Sequence, residues 1–324
     1  MADGRPRPDL RRQLEPIGAT LVFAASNFPS RSPSQGRHAS ALAAGNAVVL
    51  KAHHGHPELS DATAAVVIDA LASAGRRRPL PDDPRHRGGS ARAASIRHQG
   101  RGVHRIGARR TRPVRHRVEP PEPIPFYGEL GSTNPAFVTR RAAERDAAGI
   151  ARDFVASVTG SAGQLCTKPG VLFVPAGSSI VAELEGQRLP AASALLNGGI
   201  ESGFRDSLAS TRGVAGVRTL SAGARSEADA DADAGAPSPV LLETSIATLR
   251  DEMHTLMSEM FGPAALVVTY DDENELLDIA DSLEGQLTAT IIGEDDDEIA
   301  VDLLPKLSER ADACSGTSGP PECR

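Results

Sequence analysis

One cysteine between flexible turns is the first residue in this sequence equipped for covalent chemistry. Cys166 lies in GQLCTKPG with Gly163 and Gly170 on either side, a loop able to bring a thiolate and a backbone N–H to the same point. Most single cysteines are small buried hydrophobes, so Cys166 takes its weight from company. Glu129, in YGELGSTNP, stands between an aromatic residue and a Gly-Ser turn, where a carboxylate reaches a water as a general base, or is simply a solvated loop charge. Asn27 ends an apolar run; such a position is usually a turn, yet its amide is also the donor that an oxyanion site requires. A second group is the stretch KAHHGHP, with Lys51, His53, His54 and His56. Its bland reading is an idle loop, and no metal is expected there, because no Cys or carboxylate joins it at ligand spacing.

The elements that must hold these residues alternate between strand and helix. Gly18 to Pro29 reads as a buried strand running into a turn, and a Gly45-Asn46 turn leads into a strand at Ala47 to Leu50 that delivers Lys51 at its end. Helical spacing follows from Leu59 to Ala74 and from Arg140 to Thr159. Two short extended runs flank Gly128 to Asn134; Ser161 to Gly170 is a turn of small residues, and VLFVP a buried strand. Ser221 to Pro239 reads as a solvated loop, and a loop then enters the strand of PAALVVTY. An acidic helix (Asp271 to Leu283), a strand in LTATIIG and a last helix (Ile299 to Arg310) precede a tail expected to be loop throughout. Such alternation predicts an α/β fold whose ligands lie at the carboxyl ends of the strands.

Length and composition bound the rest. A chain of 324 residues is enough for about two domains, and no run approaches the roughly 18 apolar residues that a membrane span needs. Mean hydropathy is -0.23. Three cysteines (Cys166, Cys314, Cys323) cannot form a disulfide framework, so a reducing cytoplasm is the expected compartment. The net charge of -7 hides a contrast: Arg76 to Val118 holds 14 Arg against two acids, a local charge of +12. By itself that window reads as disordered or as a polyanion-binding arm. It has no Phe, Tyr or Trp to stack on bases, which argues against nucleic acid recognition.

Seven segments in order resemble the aldehyde dehydrogenase family, and within it the NADP-using branch similar to 2,5-dioxovalerate (α-ketoglutarate semialdehyde) dehydrogenases. They are ASNFP, SALAAGNAVVLKAHHGHP, PEPIPFYGELGSTNP, GSAGQLCTKPG, LLETS, EMFGPAALVV and EGQLTATI. The resemblance implies an incomplete Rossmann-type cofactor domain over residues 1–130, a catalytic α/β domain over 131–310 and an aberrant tail over 311–324. It also implies Cys166 as nucleophile, the Asn27 amide as oxyanion donor and Glu129 as the base for deacylation. Lys51 would contact the adenosine ribose and its 2'-phosphate, Glu259 the nicotinamide ribose, and Phe261 the nicotinamide ring. Many NAD-preferring relatives carry a Glu where this chain has His54, so NADP is expected, with NAD as the alternative. The partner implied is a small aldehyde, and an intact member would be a homo-oligomer.

The chain departs from the family between Gly75 and Glu122, where a strand, a helix and the FTGS turn that binds the cofactor phosphates are missing. Back-translating Arg92 to Arg110 with GC-leaning codons and reading one nucleotide later yields VQHPSGIKAVGFTGSGRG, which is family-like. Similar shifts restore family-like phrases at 30–38 and beyond Arg310. The sequence therefore reads as a truncated member with compensated frameshifts near 30–38 and 76–118 and an uncompensated one near 310. Weaker alternatives are an Arg-rich polyanion-binding protein and a non-catalytic degenerate relative.

Overall fold

Strand-to-helix alternation gives each part of the chain its own sheet, wholly parallel in the first among the described strands and parallel but for one edge strand in the second. The computed structural model describes residues 16–27, 37–75, 100–104, 126–129, 131–223, 235–294 and 296–317 and separates two compact units, Met1–Leu130 and Gly131–Arg324. The first contains β1 (Thr20–Phe23), α1 (Arg37–Ala43), β2 (Val48–Lys51), α2 (Pro57–Ser73), β3 (Gly100–His104) and β4 (Phe126–Glu129). Its strands lie in the order β2-β1-β3-β4, all parallel. The order reverses at β1, the kind of switch point beside which open α/β sheets bind ligands at the carboxyl ends of their strands. Asn46 braces the entry: its Oδ1 accepts from Gly18 N–H at 3.1 Å and its Nδ2 donates to Ala41 O at 3.1 Å.

The second unit runs β5 (Ala136–Val138), α3 (Arg140–Thr159), β6 (Val171–Pro175), α4 (Ser179–Gly186), α5 (Gly198–Arg212), β7 (Arg218–Ala222) and β8 (Val240–Ser245). It continues with α6 (Ile246–Asp251), α7 (Met253–Leu256), β9 (Ala264–Tyr270), α8 (Asn274–Ser282), β10 (Gln286–Ile292), α9 (Glu298–Ser308) and β11 (Ala311–Thr317). The seven strands are ordered β11-β10-β5-β6-β9-β8-β7, and β7 alone is antiparallel to its neighbour. Both faces are covered, so the continuous apolar run of β6 divides between two cores. Val171 and Phe173 pack with Phe137, Leu266 and Leu303; Leu172 and Val174 pack with Val158, Ile180 and Leu241. The fully buried Tyr270 donates its hydroxyl to Val138 O at 2.7 Å, and burial first, then the charge of Glu273, pushes its pKa up. Among the described residues no helix is long and apolar enough to cross a membrane.

Three expectations are corrected. The tail is not loop throughout: Ala311–Thr317 forms β11, parallel to β10 from Gln286 facing Ala311 to Ile292 facing Thr317. Without it β10 would be an open edge, and α9 returns the chain beside that edge in an ordinary β-α-β crossover. Within the Arg-rich window Gly100–His104 forms β3, paired to β1 and β4; backbone pairing on both sides supplies order that side-chain periodicity does not announce. The loop expected from Ser221 begins later, because Ser221 and Ala222 end β7 against β8. The expectations for 28–36, 76–99, 105–125, 224–234 and 318–324 lie outside the described residues.

The helix expected over Arg140 to Thr159 forms with a break. Asp146 has φ -149° and ψ 58°, and its Oδ1 accepts from Gly149 N–H at 2.9 Å, so it caps the second half of α3. A Cβ at Gly149 would run into that carboxylate. Asp146→Ala is expected to cost about 1 kcal/mol in urea unfolding followed by circular dichroism, with Asp146→Asn close to wild type; an unchanged midpoint for the alanine variant would contradict the cap.

Candidate active site

In the first unit the carboxyl ends of three parallel strands carry the expected residues. Lys51 is the last residue of β2, opposite Phe23 of β1, and its carbonyl accepts from Ala24 N–H at 3.0 Å. Asn27 follows just beyond β1, and Glu129 ends β4 opposite His104. The histidine stretch is not idle. His56 Nε2 meets Ala25 O at 2.9 Å and its Nδ1 meets Ser60 Oγ at 3.1 Å, while that hydroxyl donates to His56 O at 3.0 Å. His56 thus ties the turn leading to Asn27 to the start of α2. His54 is exposed and stacks on His53 with ring centroids 4.3 Å apart. His53 Nδ1 accepts from Gly55 N–H at 3.1 Å. Burial first, then the charges of His54, His56 and Lys51, lowers the His53 pKa to about 4.

In the second unit the cysteine loop is held from several sides. After α3 the chain makes a left-handed turn, with Ser161, Ala162 and Gly163 at φ 50°, 51° and 68°. Gly163 lies so close under Gly262 that a Cβ would strike the Gly262 carbonyl. Gln164 Oε1 accepts from Leu196 N–H at 2.8 Å. Cys166, half-buried and bearing a thiol rather than a disulfide, presents its carbonyl to Asn134 Nδ2 at 2.8 Å, and the same amide donates to Lys168 O at 2.9 Å. Lys168 is only 4% exposed, and its ammonium donates to Met260 O at 2.9 Å and Ala264 O at 2.6 Å. Met260 stands between Glu259 and Phe261, so these two candidates are brought to the cysteine loop.

Asn134 is itself fixed. It takes φ 47°, a left-handed conformation that Asn tolerates better than most residues. Its Oδ1 accepts from Ser132 Oγ at 2.7 Å and from Thr288 N–H and Oγ1, both at 3.1 Å. Gln286 Oε1 accepts from Thr133 N–H at 2.9 Å and Asn134 N–H at 3.1 Å. Sequence reasoning passed over Asn134, Gln286 and Lys168, and gave His56 no positioning role; an Asn before Pro looks like a turn, and one of only three lysines inside a cysteine motif was the available signal. Among the described residues no three His, Cys, Asp or Glu side chains group as metal ligands.

The sequence model of the aldehyde dehydrogenase family matches residues 5–301. The chain belongs to the aldehyde dehydrogenase family. It is 32% identical over 327 residues to alpha-ketoglutaric semialdehyde dehydrogenase of Acinetobacter baylyi, covering 94% of this chain and 59% of that protein. To alpha-ketoglutaric semialdehyde dehydrogenase 2 of Azospirillum brasilense it is 33% identical over 320 residues, with the same coverages. Its fold is similar to that of lactaldehyde dehydrogenase from Escherichia coli, with a TM-score of 0.74 at 19% identity over 95% of this chain and 64% of the other. This aldehyde dehydrogenase chain thus spans about three fifths of the length of the curated relatives it matches.

Two outcomes follow from the geometry. Asn134→Ala removes two buried donors and should lower stability by roughly 2–4 kcal/mol. Asn134→Asp should be at least as harmful at pH 7, since a carboxylate would face two carbonyls, and should recover as the pH falls because the folded state then favours the protonated acid; equal stability of the two variants at all pH values would count against the contacts. For His53 the folded pKa lies below the unfolded one, so the unfolded state binds more protons and stability falls as the pH drops from about 6.5 to about 4. Melting curves of His53→Gln should be flatter across this window than those of the wild type.

Proposed function

We propose that this chain derives from an enzyme that oxidises a small carboxylated aldehyde, 2,5-dioxovalerate or a similar semialdehyde, to the carboxylate with NADP. The observation that carries the reading is the joining of the Cys166 loop to the Glu259–Phe261 segment through Lys168, in a chain similar to two alpha-ketoglutaric semialdehyde dehydrogenases. In this reading Cys166 Sγ attacks the aldehyde carbon, the C–S bond forms, and the new oxyanion is held by the Asn27 side-chain amide and the Cys166 N–H. When bound, the nicotinamide is the hydride acceptor. Glu129 then takes a proton from water, which attacks the acyl carbon and releases the carboxylate and the thiol.

The donor set favours a phosphorylated cofactor at one end. From Lys51 to His56 there is no acid to repel a 2'-phosphate, and Lys51 closes a parallel strand, where its ammonium supports a charge-assisted contact to that phosphate. At the other end, residues between Gly75 and Glu122 contain no FTGS turn for the remaining phosphates, so the chain as written should turn over feebly or not at all.

A frame-corrected, full-length form is the material for the test. Cys166→Ala should abolish turnover, and Glu129→Gln should slow deacylation while leaving a first burst of NADPH. Lys51→Ala should raise the apparent Kd for NADP by roughly tenfold and that for NAD much less. Full activity in Cys166→Ala would end the assignment.

A further inference from the structure

The turn that carries Phe261 is gripped at both ends by one side chain. Lys168 reaches Met260 O, on the peptide that leads into Phe261, and Ala264 O, the first residue of β9. Its ammonium therefore spans the Phe261-Gly262-Pro263 turn. From the opposite end of the cysteine loop, Gly163 sits against Gly262 without room for a Cβ. Between these two anchors lies Cys166, whose carbonyl and that of Lys168 share the Asn134 amide. A buried ammonium is retained only where polar groups meet it, and here its two carbonyl acceptors belong to the segment flanking Glu259 and Phe261. We propose that Lys168 is a positioning residue, a strut that sets the separation between the nucleophile loop and the Glu259–Phe261 segment. The inference rests on the functional reading of Cys166, Glu259 and Phe261, but its geometry lies within the second unit.

The strut makes the two segments move as one. Released from it, the loop at 161–170 and the turn at 259–264 should open together, whereas loss of a buried hydrogen bond elsewhere should not reach either. Tyr270→Phe, which removes the bond to Val138 O, is the control. In the full chain Lys168→Met keeps the aliphatic stem and removes the donors. Amide hydrogen exchange of peptides 161–170 and 259–264 is expected to rise by roughly tenfold in both at once, with the other strands little changed. The rate at which iodoacetamide alkylates Cys166 should change by about fivefold or more relative to Tyr270→Phe, a difference that a general loss of stability would not produce. Opening of one segment alone, or the same response in Tyr270→Phe, would overturn the strut.

A measurement on the wild-type chain guards against a Lys168→Met that does not fold. Only Lys51, Lys168 and Lys306 carry ε-amines, so acetylation can be followed site by site by mass spectrometry. Lys168 should react roughly twentyfold or more slowly than Lys306; equal rates would refute the buried strut. Aldehyde oxidation that survived Cys166→Ala in the frame-corrected enzyme would remove the functional reading while leaving the linked opening of the two segments intact, so the two failures are separable.

Discussion

Everything in the second unit that concerns chemistry depends on where one side-chain amide can point. Asn134 has two donors and one acceptor oxygen, and all are engaged: the donors by Cys166 O and Lys168 O, the oxygen by Ser132 and Thr288. Buried carbonyls without donors are costly, on the order of 1–3 kcal/mol each, so the cysteine loop has one favourable seat. Gln286 and Thr288 of β10 fix Asn134 for that seat, and the loop's own Gly163, Gln164 and Lys168 complete it. The same reasoning explains the left-handed backbone of Asn134. A residue in that conformation carries a penalty that its completed hydrogen bonds offset.

The two units differ in how well they can bear such demands. Sheet two is sealed on both faces, and its central strands β6 and β9 are almost wholly buried. A polar network set against that background is rigid because no neighbouring packing can yield cheaply. In the first unit the described helix α2 has only Ser60 buried, while Leu59 and Val66 are 43% and 69% exposed. Beside the buried Leu21, Val22, Ala24 and Ala25, individual polar contacts such as Asn46 to Gly18 and His56 to Ala25 add to the order of this unit.

Much of this was legible in the residues, and the parts that were not share a cause. Strands β1, β2, β6 and β9 are apolar runs closed by turn residues, so pattern alone locates them. β7 hides because RTLSA has one large apolar side chain, and β11 because ADACSGT is made of small and polar residues; both are strands chiefly through a neighbour's open hydrogen bonds. The break in α3 depends on an Asp-Gly contact within one turn, invisible to a count of apolar spacing. Among the candidate residues, Cys166, Glu129 and Asn27 announce themselves by chemical type. Asn134, Gln286 and Lys168 act across separations of 32 to 154 residues, and no local rule reads such partners.

This division also says what a damaged reading frame would cost. Substitutions in the first unit leave Asn134, Lys168 and Gln286 of the second unchanged, so the cysteine loop keeps its seat. The phosphate-binding end of a dinucleotide site has no such reserve, because its donors are successive backbone amides of one glycine-containing turn at a helix start. When that turn is rewritten, no distant side chain supplies the amides in its stead. A chain of this kind can therefore retain an ordered cysteine loop without a phosphate-binding turn, since the two rest on different kinds of support.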